Sequence, residues 1–178
     1  MALLRPRRLL AIAALAVAGL IAFVLAYFEP QKLFINDVVH EPLPSLAAPV
    51  ASRAPARDRR TATPGVPALR TLSSGRFRSY EHASTGIARV IELPDGRRYV
   101  RFEHFRTSNG PLLKVYLSAA PASGPSGTFD DRFVDLGNLK GNIGEQNYEI
   151  ARRVDLSRFH SVVIWCKRFG VAFAAAPV

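Results

Sequence analysis

An uncharged apolar stretch near the start of the chain constrains its architecture most. The sequence LLAIAALAVAGLIAFVLAYF, Leu9 to Phe28, contains no charged side chain. An α-helix needs about 20 such residues to cross the hydrocarbon core of a bilayer. The stretch therefore predicts a single transmembrane helix over residues 9–28, preceded by a short N-terminal segment, 1–8.

Basic residues predict the orientation of this helix. Arg5, Arg7 and Arg8 precede the apolar stretch, whereas Lys32 is the only lysine or arginine within about 20 residues after it. Because basic residues are retained on the cytoplasmic side, we expect a cytoplasmic N-terminus and an extracytoplasmic C-terminal domain at the cell membrane. The membrane is thus the first predicted partner.

A cleaved signal peptide is the alternative, because Ala16-Val17-Ala18 resembles a small-x-small cleavage site. Cleavage there would leave the apolar run 19–28 on the mature protein, so an uncleaved anchor is favoured. The remaining chain is exported in either case.

Residues 29–71 are predicted to form an extracytoplasmic linker. Because apolar periodicity is weak over 36–71, we expect no packed helix or strand there. We assign no role to the more apolar segment LFINDVV, 33–39. The composition, rich in proline, alanine and arginine, is typical of an extended tether. The prolines are Pro42, Pro44, Pro49, Pro55, Pro64 and Pro67.

From residue 72 to 178, short apolar runs alternate with clusters of Gly, Pro, Asn and Asp, and no helical period is sustained. This pattern predicts an all-β domain, and about eight short strands favour a jelly-roll-like β-sandwich over a propeller. Pro94-Asp95-Gly96 predicts a hairpin between the second and third strands. The predicted strands are 75–80, 86–93, 97–105, 113–117, 133–136, 146–150, 161–166 and 171–174.

The formal net charge of +10 is spread along the chain. No basic helix or aromatic-basic motif accompanies it, so we expect no nucleic-acid partner. A basic surface facing anionic lipid or the cell envelope is the preferred interpretation.

The chain contains one cysteine, Cys166, at the end of the predicted buried strand VVIWC. A single cysteine excludes an internal disulfide and a Cys-x-x-Cys pair. Two interpretations stay open. Cys166 is a small apolar core residue, or it is a redox thiol whose thiolate form is favoured by the positive charge of Arg168, two residues on and so on the same face.

Histidines at 82 and 104 are the other candidate ligands. Neither has a partner at metal-ligand spacing, so no metal site is predicted. Covalent c-type haem is excluded because Cys-x-x-Cys-His is absent, while haem or another redox cofactor held by Cys166 with His82 or His104 stays open. No hydrolase motif is present, and we do not expect an ordinary enzyme.

Motifs along the whole domain resemble the DM-thirteen electron-transfer domain family, which occurs on bacterial membrane anchors and beside DOMON domains in animal proteins. Where that family often has aspartate after Gly-Pro, this chain has Leu112. The matching motifs are Gly75-x-Phe77 with His82 and Gly86, Phe105 with Asn109-Gly110-Pro111, Val115 to Ser118, Asp135 to Asn142, Gln146 to Tyr148, and Val163 to Cys166 with Phe169 and Phe173.

The resemblance implies a DOMON-like sandwich and a redox role centred on Cys166, assisted by His82 and Arg168. The partner would be an extracytoplasmic redox or other protein. The alternative is a non-catalytic envelope module that binds a ligand or partner, with Cys166 in its core.

Overall fold

A computed structural model describes residues 6–28, 35–45 and 69–178 of the chain. Most of the expected linker, 29–34 and 46–68, lies outside the described residues, as does Arg5.

The N-terminal apolar stretch forms one helix, α1, Pro6–Phe28. Its segment Leu10–Tyr27 has a mean hydropathy of 2.6 and is not buried against the rest of the protein. It is the one helix in the described part of the chain that is long and apolar enough to cross a membrane. A helix that is apolar on every side is suited to lipid, and the predicted N-terminal apolar helix is confirmed.

The described residues also form ten strands. They are β1 (Val38–His40), β2 (Arg70–Arg76), β3 (Arg78–Ser79), β4 (Thr85–Glu92), β5 (Arg98–Arg106), β6 (Leu113–Ser118), β7 (Phe133–Asn138), β8 (Ile143–Ile150), β9 (Ser161–Cys166) and β10 (Val171–Pro177).

These strands build two five-stranded sheets. The first sheet has the order β1-β8-β5-β4-β2 and the second the order β3-β10-β9-β6-β7. Neighbouring strands are antiparallel except β1, which pairs with β8 in parallel. The predicted all-β sandwich is confirmed, with ten strands in the described residues rather than about eight.

The core lies between the sheets, as strand alternation requires. Val100 and Phe102 of β5 contribute from the first sheet, and Val115 and Ile164 from the second; all four are fully buried. The Phe102 ring lies edge-on to Phe77, with 5.1 Å between ring centroids. Each large apolar side chain buried in this way contributes about 1.5–3 kcal/mol.

The predicted hairpin at Pro94-Asp95-Gly96 is confirmed. The Leu93 N–H donates to the Arg97 carbonyl oxygen at 2.8 Å, and Gly96 has φ +79°, a conformation that glycine adopts without steric cost.

The expectation of no packed strand over 36–71 is wrong at two places. β2 begins at Arg70, and β1 pairs with the start of β8, Val38 opposite Ile143. The glycines on that side make the approach of β1 possible, because a Cβ on Gly144 would collide with the Val39 carbonyl and one on Gly141 with that of Asp37. A three-residue strand with so distant a partner leaves no periodic pattern in the sequence.

Several loops converge where β9 ends. The loops 107–112, 139–142 and 167–170 follow β5, β7 and β9, and the segment 35–37 precedes β1. We call this set the cysteine end of the sandwich.

Candidate functional site

Cys166 is the last residue of β9, which lies between β6 and β10 in the second sheet. Its side chain is fully buried in the main core cluster. The thiol donates a hydrogen bond to the Pro111 carbonyl oxygen, with 3.3 Å between sulfur and oxygen. A reagent can reach the sulfur only after some local movement.

The turn 109–112, which we call the cover, supplies that carbonyl and closes this end of the core. The Asn109 side-chain oxygen accepts a hydrogen bond from the Gly110 N–H at 2.9 Å. Leu112 has φ +57°, a left-handed conformation that costs a residue with a Cβ about 1–2 kcal/mol. The cover is therefore held in a strained conformation directly over the thiol.

A cavity of about 370 Å³ lies beside the cover. Its lining includes Asp37, Asn109, Leu112 and Arg168 but not Cys166. The Asn109 amide donates to the Asp37 carboxylate at 2.8 Å. The cavity is thus polar at its rim and separated from the sulfur.

Arg168 lies in the β9–β10 turn rather than on β9. Its guanidinium contacts the Tyr27 carbonyl oxygen and lies 4.3 Å from the Tyr27 ring centroid. Its Nε is buried and has no hydrogen-bond partner in the described part of the chain. The Cys166 thiol donates its hydrogen bond to Pro111 and makes none with Arg168 within the described residues.

The structure separates the two candidate histidines. His82 packs on Phe173 with 3.8 Å between ring centroids, and Phe173 belongs to the same core cluster as Cys166. The His104 side chain is 88% exposed and lies 3.8 Å from the Glu145 carboxylate. His82 therefore contacts Phe173, a neighbour of Cys166 in the core cluster, whereas His104 points away from the core.

A haem or metal ligated by Cys166 does not fit this arrangement. The sulfur is enclosed by core side chains and bonded to a carbonyl oxygen, and the cavity does not reach it. No group of three or more His, Cys, Asp or Glu side chains comes together within 6–28, 35–45 and 69–178.

Two buried asparagines of the cysteine end were not predicted. The Asn142 side-chain oxygen accepts from the Asp37 N–H at 2.7 Å, and its amide donates to the Asn36 side chain at 2.9 Å. The Asn109 amide donates to the Ile35 carbonyl at 3.2 Å. Both asparagines lie in sequences typical of turns. Asparagine is common in turns because of local hydrogen bonds, so the sequence offers no reason to expect hydrogen bonds to a distant segment.

Residues 35–45, which we call the strap, form the edge strand β1 and then cross the outer face of the first sheet at Glu41 and Pro42. Arg101, 6% exposed, donates to the Glu41 carbonyl at 2.6 Å. The Glu41 carboxylate accepts from Lys140 at 2.6 Å and from the Asn147 N–H at 2.7 Å. Burial acts to raise the pKa of Glu41, but these two donors and nearby positive charge hold that pKa below its usual value.

Comparison with known proteins gives one result for the domain. The sequence model of the family described as Electron transfer DM13 matches residues 76–178, more than half of the chain. No curated protein and no solved structure matches the chain. The matched residues include all strands of the second sheet, with Cys166 on its middle strand, and this chain therefore belongs to the electron transfer DM13 family.

Proposed function

We propose that this chain is a membrane-anchored, extracytoplasmic electron-transfer domain whose redox group is the Cys166 thiol. Family membership supports electron transfer, and α1 is suited to be the anchor. The observation that carries the assignment to Cys166 is its cover: the sole sulfur of the domain lies directly beneath a turn that contains a left-handed leucine.

The number of cysteines limits the chemistry. With one cysteine the chain cannot form an internal disulfide, so its thiol exchange needs a partner. Once the cover opens, the thiol gives up its proton to the His82 imidazole and the Cys166 thiolate attacks an exposed disulfide of an extracytoplasmic protein. A mixed disulfide forms and the second partner sulfur leaves as a thiolate. Cys166 is oxidised and that partner sulfur is reduced.

Arg168 and His82 have subordinate roles in this proposal. Both lie at the end of the sandwich where the opened thiol would emerge. The Arg168 charge would favour the thiolate, and the His82 imidazole would accept the thiol proton.

Thiol labelling of the full chain in detergent micelles tests the proposal. We expect Cys166 to react much more slowly than in denaturant but faster than the protein unfolds globally, because opening the cover is a local event. The matched control carries Cys166→Ser and Val162→Cys, which places the only thiol on the same face of β9, fully buried in the same core cluster but four residues away from the cover. That thiol should react only through global unfolding, and equal rates for the two would overturn the proposal.

The second candidate function is a ligand- or partner-binding sandwich with a structural cysteine. Complete burial of Cys166 in the core cluster favours it. In that case Cys166→Ser would leave partner binding intact, and no mixed disulfide would be trapped with a disulfide-containing model peptide.

A further inference from the structure

We propose that the cysteine end of the sandwich docks on the membrane surface, with anionic phospholipid headgroups as its partner. This inference rests on the proposed anchoring by α1. The docking surface consists of the β9–β10 turn, Lys167 to Gly170, together with Leu112 and Ile35.

The length of the connecting chain limits where the domain can lie. Seven residue steps separate Phe28, the end of α1, from Ile35, and they span at most about 25 Å. The segment 35–37 is then hydrogen-bonded to the two other loops of the cysteine end that carry Asn109 and Asn142. This end is therefore held near the end of the anchor, whatever path residues 46–68 take.

Side chains on this surface match a membrane interface. Phe169 is 51% exposed, Ile35 50% and Leu112 40%, and the exposed Lys167 stands beside them. Apolar side chains next to basic ones bind the boundary between acyl chains and anionic headgroups. Asp37, the acidic side chain of the adjoining cavity, already accepts a hydrogen bond from Asn109.

Arg168 links this surface directly to α1. Its guanidinium lies over the Tyr27 ring and contacts the Tyr27 carbonyl. Tyrosine near the end of a transmembrane helix lies at headgroup depth, which places Arg168 at the same depth. The cover would then open beside the lipid headgroups, and a redox partner would have to approach Cys166 along the membrane surface.

Tryptophan fluorescence of the full chain in vesicles tests the docking. Trp165, the only tryptophan, is replaced by Phe, and Phe169→Trp is compared with Phe133→Trp. Phe133 begins β7 at the opposite end of the sandwich and is 39% exposed, so it is a matched control. The vesicles contain phosphatidylglycerol and phosphatidylcholine with brominated acyl chains, which quench nearby tryptophan.

We expect quenching and a blue shift for the tryptophan at 169 and neither effect for the one at 133. Adding Lys167→Glu should reduce the quenching at 169, because it removes headgroup attraction. Equal behaviour of the two tryptophans would overturn the docking, and so would a blue shift at 169 without quenching, which would indicate a protein partner or a second copy. Flotation with the vesicles is measured in parallel, and its loss would contradict the anchor itself.

Discussion

The Cys166 thiol donates a hydrogen bond to the Pro111 carbonyl oxygen, 3.3 Å away, and so links the core to the cover. We predict that Cys166→Ala lowers the free energy of unfolding by about 1 kcal/mol more than Cys166→Ser, because serine keeps a donor for Pro111 and alanine does not. Urea denaturation of the full chain in micelles measures both. Equal losses would show that this bond contributes nothing to stability.

Leu112 is the strained residue of the cover, with φ +57°. Asparagine tolerates this conformation better than leucine, so Leu112→Asn should raise the free energy of unfolding by up to about 1 kcal/mol and slow native labelling of Cys166. Leu72→Asn is the control, since Leu72 is similarly exposed, 39% against 40%. If the control slows labelling as much, the strain at Leu112 does not govern the cover.

Much of the sandwich could be predicted from short apolar runs bounded by turn residues. The bounds of β9 were predicted at Ser161 and Cys166, where the structure has them, because a buried central strand is a continuous apolar run. The strand predicted over 75–80 was wrong in extent, since the chain passes from the first sheet to the second at Phe77. β1 was missed because its pairing depends on a strand 105 residues away.

The candidate site was less accessible to sequence reasoning. Cys166 was identifiable as the only cysteine. The predicted shared face of Cys166 and Arg168 assumed that the strand continues, but β9 ends at Cys166 and Arg168 falls in a turn. The outward direction of His104 follows from an irregularity between Phe102 and Phe105 in the pairing with β8, which no local pattern indicated.

Gln146 is a fully buried polar side chain that fixes the loop 139–142. Its amide donates to the Gly141 carbonyl at 2.6 Å and its oxygen accepts from the Gly141 N–H and the Tyr148 hydroxyl. Burial raises the pKa of Tyr148 far above its usual value, so this hydroxyl keeps its proton. Gln146→Leu leaves several buried groups unpaired.

We therefore predict that Gln146→Leu lowers the free energy of unfolding by about 2–4 kcal/mol. Tyr148→Phe removes one hydroxyl and should cost about 1 kcal/mol. Chemical denaturation measures both changes. A Gln146→Leu variant as stable as Tyr148→Phe would contradict the assigned network.

Gly144 tests the docking of β1. An alanine there is strained at φ +108°, and its Cβ would meet the Val39 carbonyl. Gly137 has a similar φ of +115° but open space around it. Gly137→Ala should therefore cost about 1 kcal/mol from backbone strain alone, and Gly144→Ala clearly more. The amide hydrogen-exchange rates of residues 38–40 should rise only in Gly144→Ala. A rise in both variants would mean that backbone strain, not the lost contact with β1, causes the faster exchange.

Acid should weaken the strap. The His40 side chain hydrogen-bonded to Glu145 lowers the pKa of Glu145, and the pKa of Glu41 is also lowered. A carboxyl whose pKa is lower in the folded than in the unfolded state stabilises the folded state at pH values above its unfolded-state pKa, 4.5. This stabilisation is lost as the pH falls through the folded-state pKa. Stability of the wild type should thus exceed that of Glu41→Gln and Glu145→Gln near neutral pH, and the difference should shrink below pH about 4.5. Unfolding free energies are measured from pH about 4.5 downward, and Glu149→Gln, on the same strand as Glu145, is the control. A difference that does not shrink as the pH falls over this range would show that these carboxylates do not hold the strap.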